Sequence, residues 1–204
     1  MNHKVNNVQE LHDDAFYLYN NLVVGGESSA DAVLHNLEQA VLILKNNWKG
    51  IDAGRRIQEV IKVYNAMTVV RNALASLAVD SSKVAVNYRE IQNINGAGLP
   101  GFTSLSYETK SILADYHDTA DTVDINPAAE NGKNFIDTAN NCLEMFSVSV
   151  RGKYDEIMEN WLAGTGRDSA EDAFDSFVSS VNLYKQTLSD VSNNIKIALQ
   201  NYNF

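Results

Sequence analysis

Residues 60–91 read VIKVYNAMTVVRNALASLAVDSSKVAVNYREI, and the spacing of their apolar side chains decides the fold. Val60, Val63, Met67, Val70, Leu74, Leu77, Ser81, Val84, Tyr88 and Ile91 step by alternating threes and fours, and only Ser81 is polar. Such steps average 3.5 residues, which keeps one narrow stripe of a helix facing a neighbour along its whole length. The spacing predicts a long amphipathic helix. A second series, Phe174, Phe177, Val181, Tyr184, Leu188, Val191, Ile195, Ala198 and Tyr202, keeps the same rhythm without exception and predicts another. Both series are read as core or partner-facing seams.

The two series superimpose at an offset of 114 residues, pairing Val60 with Phe174, Leu74 with Leu188 and Tyr88 with Tyr202. Upstream the offset is 113, where Ala30, Val33, Leu37, Ala40 and Leu44 match Leu143, Phe146, Val150, Lys153 and Ile157. Between these stretches lie two corners, NNWKG at 46–50 and NWLAG at 160–164, and the extra residue falls inside the second. A turn accepts an insertion, whereas an inserted residue would rotate a seam off its partner, so the pattern reads as an internal duplication. The units are 1–93, a hairpin repeat with an added N-terminal helix; 94–104, a glycine-rich linker; and 105–204, a second hairpin repeat with a leading helix.

At each corner a glycine, Gly50 or Gly164 (or Gly166), can adopt positive φ and turn the chain. Asp52 and Asp168 follow at places suited to capping the next helix, and Glu171 stands three residues after Asp168 as in a capping box. Trp48 and Trp161 would close the hairpin ends with their large apolar bodies.

A first helix of moderate length, a Trp-Xaa-Gly turn and a long second helix with heptad spacing resemble the WXG family, the ESAT-like helical hairpins exported by type VII secretion systems. Trp48 and Gly50 match the motif in spacing, whereas Trp161 and Gly164 are one residue further apart. The resemblance implies an all-α fold of two such hairpins in tandem, forming an elongated antiparallel four-helix bundle with extra short helices. It makes the chain a pseudo-dimer, with a homodimer as the other arrangement. It further implies protein partners, a secretion ATPase or a co-secreted effector among them. The family's export signal, a Tyr followed four positions later by Asp or Glu, matches no tyrosine here; Tyr88 is followed at that distance by Gln92.

Charge narrows the partners. With 16 Lys and Arg against 26 Asp and Glu, the net charge of −10 repels phosphate backbones, and nucleic acid is not expected. The longest apolar run, AVLIL at 40–44, cannot span a bilayer, and the first residues have no apolar leader core. Secretion without a cleavable signal peptide is the expectation, with a cytoplasmic location as the alternative. The single cysteine, Cys142, reads as a buried small apolar residue.

Residues 5–22, with Val5, Val8, Ala15 and Leu22 on one stripe, predict an extra helix ended by Gly25 and Gly26, and residues 105–120, with Ile112, Leu113 and Tyr116, predict another before Pro127 opens the next. Six helices are expected. Gly96, Gly98 and Gly101 spell GxGxxG, but a dinucleotide loop needs a preceding strand, and here a helix precedes. A carboxylate-bridged metal pair draws on Glu-x-x-His, and no histidine has Glu three residues before it. His117 beside Asp115, Asp118 and Asp121, and His12 beside Asp13 and Asp14, read as solvated acidic helix surface. No metal, cofactor or catalytic residue is therefore assigned. The expected function is non-enzymatic helix-to-helix binding in type VII secretion, as exported effector or adaptor; a cytosolic adaptor or chaperone, or a metal- or ligand-binding helical-bundle enzyme, are the alternatives.

Overall fold

A computed structural model describes residues 4–121, 123–163 and 165–201, and among them the chain is all-α apart from two minimal strand pairs. Helix α1 (Val8–Tyr17) runs on as a π-helical segment, Leu18–Val23. It is followed by α2 (Ala30–Asn47), α3 (Ile51–Ile94), α4 (Ala129–Asn160) and α5 (Thr165–Asn201). The strands are β1 (Lys4–Val5), β2 (Trp48–Lys49), β3 (Asp124–Ile125) and β4 (Trp161–Ala163). At 1.5 Å per residue, the 44 residues of α3 extend about 66 Å.

Local chemistry sets several boundaries. Asn7 accepts the Glu10 N–H and Ser29 accepts the Ala32 N–H, each satisfying a donor that its helix leaves free at the start. Helix α3 begins differently. Gly50 occupies the N-cap at φ 114°, a region a Cβ disfavours, and supplies no side chain. Asp52 is thus inside the first turn, paired with Arg55 at 2.6 Å, and does not cap the helix. Asp168 likewise lies within α5, where Arg167 joins Glu171 at 2.8 Å, so the expected capping box does not stand at the helix start.

Helix α4 runs antiparallel along α2 with its first half. Gly132 faces Leu44 and Ile43 near the end of α2, and the Cys142 thiol donates to the Glu27 carbonyl just before its start. Burial pushes that thiol's pKa up, as suits a small apolar filler. The second half passes α1, where Lys153 meets Asp14 at 2.8 Å. Helix α5 folds back on α4, with Asn140 donating to Ser189 and Ser192 to Asp137, and α5 also packs against α3.

One continuous core holds residues of both halves. Val60, Val63, Met67, Val70, Leu74 and Leu77 are buried in it, as are Phe174, Phe177 and Leu188. Val181, Tyr184 and Tyr88 are half-buried, and the first seam fades at Ile91, which is 54% exposed. Phe177 meets Phe146 edge-on at 5.7 Å, and Phe174 stacks on Tyr154 at 4.1 Å. Gly164 and Tyr202 lie outside the described residues.

The leading helix expected at 105–120 does not form. Residues 97–120 contain neither helix nor strand, and five α-helices are described where six were expected. Three glycines and Pro100 precede the segment, and Thr and Ser recur within it, so its intrinsic helix preference is weak. Its main-chain groups are instead taken by side chains of α3.

Candidate functional site

Each tryptophan corner is closed by a strand from the other half of the chain. Trp48 pairs with Ile125 and Lys49 with Asp124, antiparallel, and the Asn126 N–H donates to the Asn47 carbonyl at 2.8 Å. Val5 pairs with Trp161 and Lys4 with Ala163, and the Asn6 N–H donates to the Asn160 carbonyl at 3.0 Å. The same elements recur in both places: a β-branched residue then Asn on the incoming strand, and Asn then Trp at the corner. Both tryptophans are buried, at 2% and 1% exposure, so their ring surfaces serve the core. Arg167 Nε donates to the Trp161 carbonyl at 3.1 Å and steadies the second corner.

Lys153 interrupts the otherwise apolar series Leu143, Phe146, Val150 and Ile157. It is paired with Asp14 and Glu156 and lies 4.9 Å from the Tyr17 ring centre. Desolvation would lower its pKa, but the two carboxylates outweigh it and hold it raised.

A second structured surface lies along α3. Residues 97–120 form a strap that runs back along this helix, held by its polar side chains. Asn93 donates to the Leu99 carbonyl and accepts the Leu99 N–H, at 3.0 and 2.8 Å. Asn72 does the same for Lys110, at 2.9 Å each way, and Asn65 for Leu113, at 3.0 and 2.8 Å. Gln58 accepts the Tyr116 N–H at 2.7 Å and donates to Asp115 at 2.6 Å. Gln58, Asn65, Asn72 and Asn93 are separated by multiples of seven residues, on the face of α3 turned away from its seam.

Charge and aromatic contacts fix the strap's ends and middle. The buried Arg71 pairs with Asp31 through Nε and Nη2, at 3.0 and 3.3 Å, and donates from Nη1 to the Glu108 carbonyl at 2.6 Å. A cleft of about 540 Å³ opens here between Tyr19, Asp31, Arg71 and the strap at 106–110. His12, read from sequence as solvated surface, stacks on Phe102 at 4.1 Å and donates from Nε2 to the Thr103 carbonyl; Arg89 covers the Phe102 ring at 4.0 Å. Asp118 accepts N–H groups from Ala120 and Gly50, both at 3.0 Å, which hold its pKa below the usual carboxylate range. A Cβ on Gly54 would come within 2.6 Å of the Asp118 nitrogen, so the strap's close approach requires glycine there.

No protein-family model, curated protein or solved structure matches this chain. Its own residues therefore carry the functional argument. Among the described residues, no group of three or more His, Cys, Asp or Glu could hold a metal ion, and no helix is long and apolar enough to cross a membrane. His117 and Asp118 do not sit on a helix face, since the strap is extended. Outside the core, α4 and α5 present Met145, Val148, Leu183 and Ile197 to solvent, each more than half exposed. Sequence reasoning missed the strap contacts; their signal was side-chain amides on α3 at multiples of seven.

Proposed function

We propose that this chain is a tandem WXG-like protein associated with type VII secretion, acting without catalysis as an exported effector or an adaptor for a co-secreted partner. The observation that carries the reading is the reciprocal closure of the two corners. Each half lends the strand that completes the other's Trp turn, as two copies of one hairpin would if fused and paired about a pseudo-twofold axis. Further support comes from the contacts of α2 with α4 and of α3 with α5, the helices that a duplication would make equivalent and that two paired hairpins would bring together. Most seam residues are buried within the chain, so a partner would meet other surfaces, including the exposed face around Met145 and Val148.

The missing Tyr-to-acid spacing favours a second reading, a cytosolic helical adaptor. The two part in one assay: the protein is measured in culture medium with and without the type VII ATPase, against a cytosolic marker for lysis. ATPase-dependent appearance is expected; retention in both strains would leave the cytosolic adaptor.

A further inference from the structure

We infer that the outer face of α3 is a binding groove for an extended polypeptide segment of a partner protein, and that the strap at 97–120 occupies it in cis. Seven residues of α-helix rise about 10.5 Å, and three residues of extended chain cover about 9–10 Å. Gln58, Asn65 and Asn72 therefore fall opposite every third strap residue, Tyr116, Leu113 and Lys110. At two of these three rungs one side-chain amide satisfies both the N–H and the C=O of the residue it faces, so the rung itself does not depend on which side chain stands there.

Away from these rungs, Phe102, Leu105 and Tyr107 pack only partly against the core. No strap residue is fully buried, and Ser111, Ile112, Ala114 and Asp115 between the rungs are exposed. Leu113 and Tyr116 are half-buried against α3, and Asp118 follows two positions later on the Gly50 N–H. The groove thus fits a segment running antiparallel to α3, with apolar side chains three apart, an acidic residue two further on, and no proline at the rungs. At the strap's start, Gly96 and Gly98 take positive φ and a Cβ at either would meet nothing within 4 Å, so the connection can open without disturbing α3. The inference does not depend on export.

Replacing Lys110 and Leu113 by proline removes two rung N–H donors from the strap while leaving α3 unchanged. A fluorescent peptide of residues 107–120 is titrated by anisotropy against the full-length native chain and against this released variant. At least tenfold tighter binding by the variant is expected, and Asn65→Leu in the same background should reverse it. Equal binding by both chains, or tight binding indifferent to Asn65→Leu, would overturn the inference, as would concentration-dependent dimerisation of the variant, which would put a second copy in the groove. Should the variant fail to fold by circular dichroism, hydrogen exchange on the native chain decides. The amides of residues 110, 113 and 116 should exchange together at least a hundredfold faster than the α3 core; exchange only with global unfolding would make the strap a permanent part of the fold.

Discussion

Ile125 lies beside Trp48 in antiparallel register, both with 2% exposure or less, although 77 positions separate them in sequence. The first corner is thus completed by a residue that precedes the second hairpin. Trp48→Ala should cost about 3–5 kcal/mol and Ile125→Ala about 2–4 kcal/mol, the usual range for truncating large buried side chains. Because the residues touch, the double variant should lose less than the two effects added together. Urea unfolding of the four chains reads this, and simple additivity would separate the strand from the corner.

Two buried hydroxyls oppose stability. Ser81 is fully buried and Tyr154 is 6% exposed, and neither hydroxyl finds a hydrogen-bond partner among the described residues. Burial pushes the Tyr154 phenol far above its ordinary pKa, with Glu171 and Asp175 adding to the effect. Ser81→Ala and Tyr154→Phe should each stabilise by about 1 kcal/mol, because an unpaired buried group loses its hydration for no return. A loss of stability on thermal melting would mean that each hydroxyl has a partner.

Arg71 ties the start of α2 to the strap. Arg71→Met should cost about 2–3 kcal/mol, since it strands Asp31 and the Glu108 carbonyl together. Arg71→Lys should recover little, because an ammonium cannot hold the carboxylate by two bonds and reach the carbonyl at once. Full recovery by lysine in chemical denaturation would contradict that geometry.

Asp118 gives the strap a pH dependence. Its folded pKa is depressed by the Ala120 and Gly50 N–H groups, so its contribution is present above the ordinary aspartate range, about 4, and is lost as pH falls through the lower folded value. Amide shifts of Gly50 and Ala120 followed by NMR should titrate together with a midpoint below about 3.9. A midpoint at or above that value would mean that the carboxylate is not held by these donors.

The seams were legible because threes and fours leave a mark in sequence, and Val60 to Leu77 are buried as that mark requires. The strap was not. Ile112, Leu113 and Tyr116 fit one face of a helix, yet Leu113 and Tyr116 also fit an extended chain contacted every third residue. What decides between them is Gln58, Asn65 and Asn72, some fifty residues earlier, where an amide at a solvent-facing heptad position looks like ordinary surface. The corner strands were equally silent, since two-residue pairings such as Val5 with Trp161 are too short for any alternation. Trp48, Gly50 and Trp161 stand where one helix ends or the next begins, whereas Asp118, read as solvated, holds the strap at the start of α3.

Sedimentation equilibrium at micromolar concentration tests most directly whether the two helical hairpins pair within one chain. A monomer of 22.5 kDa that persists across a hundredfold range of concentration is the expected result. Twice that mass, falling to the monomer only with loss of helix, would show that the hairpins are exchanged between chains and that one chain does not complete both tryptophan corners.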